Sequence, residues 1–511
     1  MNNTNERFKP VIGKNVIENL TIGMYDDPRF VYREYVQNAA DQIDVVKKEK
    51  LYQSKNEPPS IFIQINKDTR TVVIEDNATG IKSQEVLPLL GNIAQSTKNR
   101  YEDKGFRGIG RLGGLGYCER LIFETSFYGE NKKSIMTWNA KKLKEVISDD
   151  NIRIDAAELI SLITDYSFLD ADENSRYFKV TMENVTNDAL LDVQQVRDYL
   201  SMVAPVPFAN HFTHKDKIYN NAKDKIDEYN IYVNTDQLFK GYNNYIYKNN
   251  IASEEDAIID VAFFEEYYQE KLLFWGWYGI SKEMHQIPDE NKSRGIRLRK
   301  SNIQIGLENR LDEFHKEELG NRYFIGEVYA VNEKLTPNAR RDFFIDNDEC
   351  SQFSKRLRDL FYNQLHKLYY DFSKKNAAIK VLQDFENITQ SLNNKTTDVV
   401  SQEKLEIELK KLEKKIPRAQ RALGNLKKKY SGQVLGEIIE ESGFNFGEGE
   451  SKSQEEKQKY DEPNTQNTAD GKTTEEARLL KKIYMIIRQN PQLCGEELIQ
   501  KIEEKHHDKQ R

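Results

Sequence analysis

One short polar segment, EYVQNAAD beginning at Glu34, constrains this chain more than any other. Asp27 is a candidate N-cap and Pro28 stands at a first helical position, so the pattern predicts a long helix that begins there. Glu34, Asn38 and Asp41 then follow at i, i+4 and i+7 and share one face. A carboxylate that polarises water, an amide oxygen that can ligate Mg²⁺ and a second carboxylate suit the cleavage of a phosphoanhydride. Taken alone, such a stripe is more often a solvated helix face.

A predicted hairpin follows this helix. Residues 61–76, IFIQINKDTRTVVIED, alternate as two apolar strands around the polar turn NKDT. The second strand runs directly into Asp76 and then, four residues on, Gly80. A carboxylate is therefore expected at the end of a strand, next to a glycine-containing turn.

A glycine-rich segment follows the hairpin at residues 91–116. It contains Gly105, Gly108 and Gly110 in a GxxGxG pattern, with three more glycines close behind. Glycine at this density lets the backbone approach phosphates and aim N–H groups at them. The segment lacks the GK[ST] ending of a P-loop and the preceding strand of a dinucleotide fingerprint, and a flexible surface loop is the alternative.

The order and spacing of these three segments resemble the GHKL ATPases, which include the ATPase component of DNA gyrase, the ninety-kilodalton heat-shock chaperones, histidine kinases, MutL and MORC proteins. The resemblance implies an α+β chain that starts with a Bergerat-type α/β sandwich, with helices on one face of a mixed sheet. It also implies binding of ATP with Mg²⁺ and hydrolysis to ADP and phosphate. By the same resemblance, Glu34 is the general base, Asn38 the Mg²⁺ ligand and Asp76 the reader of the adenine amino group. The other nucleotide contacts that it implies are Asp41, Gly80, Ser96, Lys98, Gly105, Gly108 and Gly110.

Two positions depart from the family pattern. Ala78 stands where the motif D-x-G-x-G usually has glycine, which removes the freedom to adopt a positive φ. Tyr177 and Phe178 occupy the place where the family usually has Gly-Thr at the start of a strand. Either Thr181 supplies the missing hydroxyl or this contact is absent.

A second resemblance lies far along the chain. The segment LTPNARRD is similar to the middle-domain loop of the ninety-kilodalton heat-shock chaperones, and IRLRKSNIQI to the strand before it. Asn338 and Arg341 take the places of that loop's asparagine and arginine, which implies that Arg341 reaches the γ-phosphate when the second domain folds over the first. An arginine fork suits this task because it is always charged and can meet two phosphate oxygens. Arg340 is the alternative if the register differs by one, and a surface ion pair with Asp342 or Asp346 is the other interpretation.

Helical patterns dominate the chain beyond the second domain. A stripe of apolar residues recurs from Leu357 to Phe372, and a four-three heptad runs from Leu405 to Tyr430. Pro417 interrupts this heptad, so a kink or an antiparallel hairpin competes with one continuous rod. We expect the heptad and the last helices to form a constitutive C-terminal dimer.

These patterns predict six regions and a buried aromatic cluster. The aromatic residues Phe274, Trp275 and Trp277 alternate in a strand and are expected in a core rather than as a base-stacking platform. We expect an ATP-binding domain over residues 1–190, a transducer or middle domain over 191–350, a helical extension over 351–395, a coiled coil over 400–432, a disordered linker over 433–474 and a small helical module over 475–511.

Composition narrows the cellular setting. The net charge of −7 and a pI near 5.8 give no global indication of a nucleic-acid or membrane partner, although a local basic surface is not excluded. Cys118, Cys350 and Cys494 form no CxxC pair and fit a reducing compartment. We find no apolar run of membrane-spanning length, and we expect a cytoplasmic protein.

The function that these expectations favour is an ATP-driven conformational clamp, most simply a homodimer that closes on ATP binding and reopens after hydrolysis. It would act on a protein client as a chaperone-like factor or serve as the ATPase of a bacterial defence system, antiviral for example, or of a repair system. The alternative is a DNA-binding clamp of the MORC or MutL type, gated by ATP. A degenerate scaffold without turnover is disfavoured because Glu34, Asn38 and Asp76 are intact.

Overall fold

The computed structural model describes most of the 511-residue chain, and all described residues belong to one compact unit, Met1–Gly447. Ser96, Lys98 and Gly105 lie outside the described residues, as do residues 442–474 of the expected linker and the whole C-terminal module. The expected linker begins too early, because residues 434–441 form a helix whose Leu435, Ile438 and Ile439 are buried. None of the described helices is long and apolar enough to cross a membrane. The described residues are 11–21, 27–51, 57–93, 108–249, 251–393 and 399–441.

A mixed eight-stranded sheet forms the first half of this unit. Its strands are β1 (Ser60–Asn66), β2 (Thr71–Asp76), β3 (Arg120–Ser126), β4 (Lys132–Asn139), β5 (Thr164–Asp170), β6 (Tyr177–Glu183), β7 (Asn230–Val233) and β8 (Asp236–Gln237). Their order is β5-β4-β3-β6-β2-β1-β7-β8, antiparallel throughout except for the parallel pair β1 and β7. The predicted hairpin is confirmed, because the inward isoleucines of β1 are buried while the turn residues between β1 and β2 lie on the surface.

Helices alternate with these strands along the chain, and one of them carries the polar segment EYVQNAAD that begins at Glu34. They are α1 (Asn15–Thr21), α2 (Phe30–Lys48), α3 (Ser83–Val86), α4 (Ala140–Ser148), α5 (Ala156–Ile163), α6 (Val193–Val203) and α7 (Lys215–Asn221). The long helix α2 packs over β1 and β2. It begins at Phe30 and not at Pro28 as predicted, because the side chain of Asp27 binds the backbone N–H and the guanidinium of Arg29 and holds a turn there.

The first domain extends further than the sequence predicted. Strand β7, expected in the second domain, pairs with β1 over residues 230–233. The side chain of Asn234 strengthens this pairing by accepting a hydrogen bond from the N–H of Ile65 at 2.9 Å. A boundary at residue 190 is therefore too early, because the first sheet is completed only by β7 and β8.

A second, six-stranded sheet follows. Its strands are β9 (Tyr245–Lys248), β10 (Ile251–Tyr268), β11 (Lys271–Ser281), β12 (Gly295–Lys300), β13 (Ile303–Gln304) and β14 (Ile325–Ala330), in the order β13-β12-β14-β11-β10-β9. Only β12 and β14 are parallel. Phe274 packs into the core on one face, whereas Trp275 and Trp277 pack into the core on the other. The prediction that these aromatic residues are core is confirmed.

Helices pack on one face of the second sheet. They are α8 (Asp348–Leu360), α9 (His366–Asn393), α10 (Val399–Glu413), α11 (Ile416–Lys429) and α12 (Val434–Glu441), with a π-helical segment Phe361–Leu365 between α8 and α9. The apolar stripe of α8 and α9 joins the core of the second domain, as predicted.

The heptad segment is broken, and its apolar stripe is used within the chain. Residues 414–415 separate α10 from α11, with Pro417 in the first turn of α11, and both helices pack along α9. Ala419, Leu423 and Leu426 are buried in the core that also contains α9. Of the alternatives that the sequence left open, the structure therefore shows a break at Pro417 and not one continuous rod. The expected dimer contact is corrected, because these three residues are not available to a second copy of the chain.

Candidate functional site

Glu34 lies at the centre of the candidate site and is only 5 % exposed. Two guanidinium groups reach its Oε1 atom. Nε of Arg341 lies at 3.1 Å, and an Nη atom of the neighbouring Arg33 lies at 3.5 Å. Arg33 is itself buried and rests over the ring of Phe30, 4.3 Å from its centroid. The carboxylate is thus held in place from two sides.

The glycine-rich segment closes against this carboxylate. A Cβ atom added at Gly110 would lie 2.2 Å from Oε2 of Glu34, so this position has no room for a side chain. The hydroxyl of Tyr35 anchors the 3₁₀ helix Gly110–Gly116. It donates to the carbonyl of Arg111 at 2.9 Å and accepts from the N–H of Gly114 at 3.2 Å. Helix α2 therefore carries both the acidic residue and the anchor for the segment that covers it.

Arg111 connects the later part of the glycine-rich segment to the start of that segment at Asn92. Its guanidinium donates to the carbonyls of Gly108 and Asn92, at 2.5 and 2.6 Å. Burial lowers the pKa of Arg111 to about 10. The sequence analysis did not single out Arg111, because its role depends on which carbonyls surround it in three dimensions.

Asp76 lies at the end of β2 and is 2 % exposed. One of its oxygens accepts the N–H of Ala78 at 3.1 Å. Ala78 is fully buried and does not adopt a positive φ, so alanine is accommodated without strain where the family pattern has glycine. Gly80 does need to be glycine, since its φ is +67° and a Cβ there would lie 1.9 Å from the carbonyl oxygen of Ser126.

The turn after β2 also contacts the helix that carries Glu34. The hydroxyl of Thr79 donates to the side-chain oxygen of Gln42 on α2, at 2.9 Å. Asp41, one position before Gln42, is buried. The structure therefore brings three segments together at the candidate site. They are α2, the turn after β2 and the described part of the glycine-rich segment.

The sheet register identifies a hydroxyl that the sequence analysis missed. Thr181 pairs with Val73, three residues before Asp76, which places it about 10 Å along the strands from that carboxylate. Thr125 instead stands opposite Phe178, which is itself opposite Asp76. Its buried hydroxyl donates to the carbonyl of Tyr177 at 2.8 Å and accepts the N–H of Ile81 at 2.9 Å.

Two amide side chains of α2 complete the site. Asn38, one turn after Glu34, is partly exposed and free to face a ligand. Gln37 is fully buried, and within the described part of the chain neither its amide nitrogen nor its oxygen has a hydrogen-bond partner. Buried groups of this kind require explanation, and Gln37 is a second candidate that the sequence analysis did not single out. No three His, Cys, Asp or Glu side chains among the described residues form a group that could hold a metal ion.

Arg341 is presented by a tight loop of the second domain. Its φ is +56°, which is unusual for a residue with a side chain. Hydrogen bonds hold it there, because its carbonyl accepts from Gly306 at 2.8 Å and its N–H donates to the carbonyl of Asn338 at 3.2 Å. The side chain of Asn338 braces the loop by donating to Asp342 at 2.5 Å. A strained residue fixed by its surroundings is a common feature of functional sites.

The two neighbouring arginines of this loop lie in different surroundings. Arg341 is 8 % exposed and reaches Glu34, so it is not in a surface ion pair. Arg340 is exposed and lines a cavity of about 980 Å³ whose walls include the start of α2, part of α6 and part of the second sheet. The structure thus brings Arg341, and not Arg340, to the candidate site.

Comparison with known families agrees with this geometry. Residues 34–168 match the family described as histidine kinase-, DNA gyrase B-, and HSP90-like ATPase. Residues 34–168 belong to a GHKL ATPase domain. Within this domain lie Glu34, Asn38, Asp76 and the glycine-rich segment, while Arg341 comes from outside it.

The relatives found among curated proteins are bacterial chaperones. The chain is 30 % identical over 160 residues to the chaperone protein HtpG of Buchnera aphidicola subsp. Cinara cedri, a match that covers 29 % of this chain and 25 % of that protein. It is 29 % identical over 170 residues to HtpG of Rickettsia typhi, covering 30 % and 26 %. For HtpG of Fusobacterium nucleatum the identity is 28 % over 135 residues, covering 23 % and 22 %. The chain thus spans about a quarter of the length of the relatives it matches.

Proposed function

We propose that this chain is an ATP-driven conformational machine whose GHKL domain binds ATP and hydrolyses it to ADP and phosphate. The observation that carries this proposal is the ion pair between Arg341 of the second domain and Glu34 of the GHKL domain. The second domain supplies the cation, and the GHKL domain supplies a carboxylate suited to polarising water. The position of the second domain is therefore coupled to the hydrolysis step. Hydrolysis would then change how the second domain sits, and that change is the output of the machine.

In this proposal Glu34 acts as the general base that activates the attacking water. Mg²⁺ neutralises developing charge on the phosphates when it is bound. Asn38 would be its protein ligand, and the phosphate oxygens and water would fill the remaining positions. This donor set fits the ion, because Mg²⁺ in nucleotide sites keeps several waters and needs few protein ligands. Asn38 is partly exposed, as a side chain that meets a bound ion must be.

Arg341 would serve as a sensor of the γ-phosphate as well as a catalytic group. Its guanidinium holds the base at 3.1 Å, so the base and the phosphate compete for the same cation. When the γ-phosphate recruits Arg341, Glu34 is released to act on water. A charge-assisted contact of this kind contributes roughly 1.5 to 3 kcal/mol, enough to shift a two-state balance about ten- to a hundredfold.

The proposed partner follows the names of the relatives. HtpG is named as a chaperone in each of the three, and we propose a chaperone-like action on a protein client. The cytoplasmic homodimer expected from the sequence remains part of this proposal. The dimer contact is not the stripe of Ala419, Leu423 and Leu426, because these residues are buried within the chain.

The first test is the substitution Arg341→Ala. We expect it to leave ADP affinity unchanged and to lower steady-state ATP hydrolysis about ten- to a hundredfold, because the contact with the γ-phosphate is lost. Arg340→Ala is the matched control. It removes the same charge from the neighbouring residue, whose side chain lines the cavity of about 980 Å³ and does not reach Glu34. Hydrolysis can be followed by phosphate release and ADP affinity by calorimetry.

Wild-type turnover in both variants would refute the coupling between the two domains. Loss of turnover in Arg340→Ala alone would show that the loop engages the nucleotide in a register shifted by one residue.

The second test addresses adenine recognition. Asp76→Asn should lower ATP affinity about ten- to a hundredfold, because the amide presents donors where a buried carboxylate would accept from the adenine amino group. Asp68→Asn removes a carboxylate from the exposed turn between β1 and β2 and should have no effect. Calorimetric titration of both variants with ATP gives the comparison, and unchanged affinity in Asp76→Asn would remove Asp76 from the nucleotide pocket.

A further inference from the structure

The outer side of α10 and α11 carries a row of cations that the proposed ATPase function does not use. We call this row the basic ridge. All of its side chains are exposed, and it spans nineteen residues of sequence, from the end of α10 across residues 414–415 to the end of α11. Its members are Lys410, Lys411, Lys414, Lys415, Arg418, Arg421 and Lys428.

The opposite side of the same helices fixes the direction in which the ridge faces. Leu412 of α10 and Ala419, Leu423 and Leu426 of α11 are buried against the rest of the second domain. Because α11 is held along its length by this packing, its outer side chains cannot turn inward. The basic ridge is therefore a rigid, outward-facing feature and not a loose tail.

The ridge cations are not neutralised by the surrounding protein. Two other lysines of α11 do have acidic partners, Lys427 with Glu440 at 3.3 Å and Lys429 with Asp371 at 2.5 Å, and neither belongs to the ridge. In the described part of the chain, no carboxylate lies within 4.0 Å of a ridge nitrogen. The span of the ridge, residues 410–428, contains a single acidic residue in the sequence, Glu413.

Such a concentration of charge is unusual in this chain. The whole protein carries a net charge of −7, yet the ridge alone carries seven positive charges. Like charges three or four residues apart on a helix repel one another and weaken the helix. The ridge cations repel one another and have no carboxylate partners among the described residues. Such a surface is suited to binding a polyanion, which supplies the opposite charge.

We propose that the basic ridge binds the phosphate backbone of duplex nucleic acid without reading its sequence. A duplex is a rigid rod with about one negative charge per 1.7 Å, so cations placed along two successive helices can meet several phosphates of the same rod. Residues 410–429 include no aromatic side chain, so the ridge offers no platform on which unpaired bases could stack. A flexible acidic peptide would lose more conformational freedom on a convex surface that provides no groove for its side chains.

The test measures the fluorescence anisotropy of a labelled 20-base-pair DNA duplex titrated with the full chain, in the absence of nucleotide, from 50 to 200 mM NaCl. We expect affinity to fall steeply with salt, with a slope of log K against log salt of about −4 if four or five ridge cations meet phosphates. In the triple variant Lys414→Glu, Arg418→Glu, Arg421→Glu, affinity at 100 mM salt should fall at least about tenfold. The magnitude of the slope should fall by about three.

The matched control changes the same net charge elsewhere. Lys67, Lys142 and Lys248 are exposed and lie outside α10 and α11, and their joint substitution by Glu should change DNA affinity by less than about twofold. ATP hydrolysis is measured beside binding in both triple variants. It should match the wild type, which shows that the ridge variant is folded and keeps this test independent of the proposed ATPase function.

Four outcomes would overturn the proposal. They are the absence of salt-dependent binding by the wild-type chain, equal loss of affinity in the control variant, tighter binding of a single strand than of the duplex, and equally effective competition by polyglutamate at matched charge. The last would assign the ridge to an acidic protein partner.

Discussion

Replacing Glu34 by alanine is expected to lower the turnover number for ATP about 10²-fold or more while nucleotide binding persists. The side chain is nearly inaccessible and its carboxylate is held by two guanidinium groups, so the variant loses the positioned carboxylate that we assign as the base. Glu34→Gln should be almost as slow, because the amide keeps the shape of the side chain but cannot take a proton from water. The measurement is single-turnover hydrolysis at saturating ATP, beside a binding titration.

Glu49→Ala is the matched control, since Glu49 follows the same helix and is exposed. The double variant Glu34→Ala, Arg341→Ala adds a sharper comparison. If the two groups act as one unit, it should be no slower than Glu34→Ala alone. Equal turnover in Glu34→Ala and wild type would remove Glu34 from the mechanism, whatever the fold of the domain.

Local patterns in the sequence were sufficient for those parts of the site that lie on single elements. The face of α2 and the strand that ends at Asp76 depend only on helical spacing and on apolar alternation, which the residues show directly. The glycine-rich segment was likewise recognisable, but its sequence did not show which side chain it contacts. Gly110 gives space to the carboxylate of Glu34, a contact that requires knowing where α2 lies relative to the segment.

Features that join distant residues could not be predicted in this way. Thr125 is placed beside Phe178 and Asp76 by the register of three strands, and no spacing within the sequence shows it. Strand β7 joins the first sheet across more than 160 residues of sequence from β1. Its four residues look the same whether they pair with one sheet or the other, so the domain boundary was placed too early.

The heptad shows a further limit of sequence patterns. A stripe of apolar residues indicates that a helix is buried on one side, but it does not identify the surface that covers it. In this chain α9 covers the stripe of α11. The same packing leaves the basic ridge facing outward, which is why a chain with a negative net charge can still present a strongly basic surface.

A buried ionic cluster joins the second sheet to the end of the first domain. Glu327 on β14 is fully buried, and its carboxylate accepts from Nζ of Lys240 at 2.7 Å and from the guanidinium of Arg299. Arg299 also donates to the carbonyl of Met202 in the last turn of α6, at 2.6 Å. Because both cations contact one carboxylate, Glu327 is the residue on which the cluster depends.

The two cations decide the charge of this carboxylate. Burial raises the pKa of Glu327, but Arg299 and Lys240 outweigh this effect and hold it at about 2. Burial and the nearby Arg299 lower the pKa of Lys240 to about 7.

Glu327→Ala is therefore expected to destabilise the protein by about 3 to 5 kcal/mol, because it leaves two buried cations without their carboxylate. Urea unfolding followed by tryptophan fluorescence reports this directly, since Trp275 and Trp277 are buried in the adjoining core. Glu333→Ala, which removes the exposed partner of Lys271, should change stability by less than about 0.5 kcal/mol. Adding Lys240→Met to Glu327→Ala should restore part of the loss, because it removes one uncompensated charge. If Glu327→Ala unfolds at the same urea concentration as Glu333→Ala, the cluster does not stabilise the junction between the two domains.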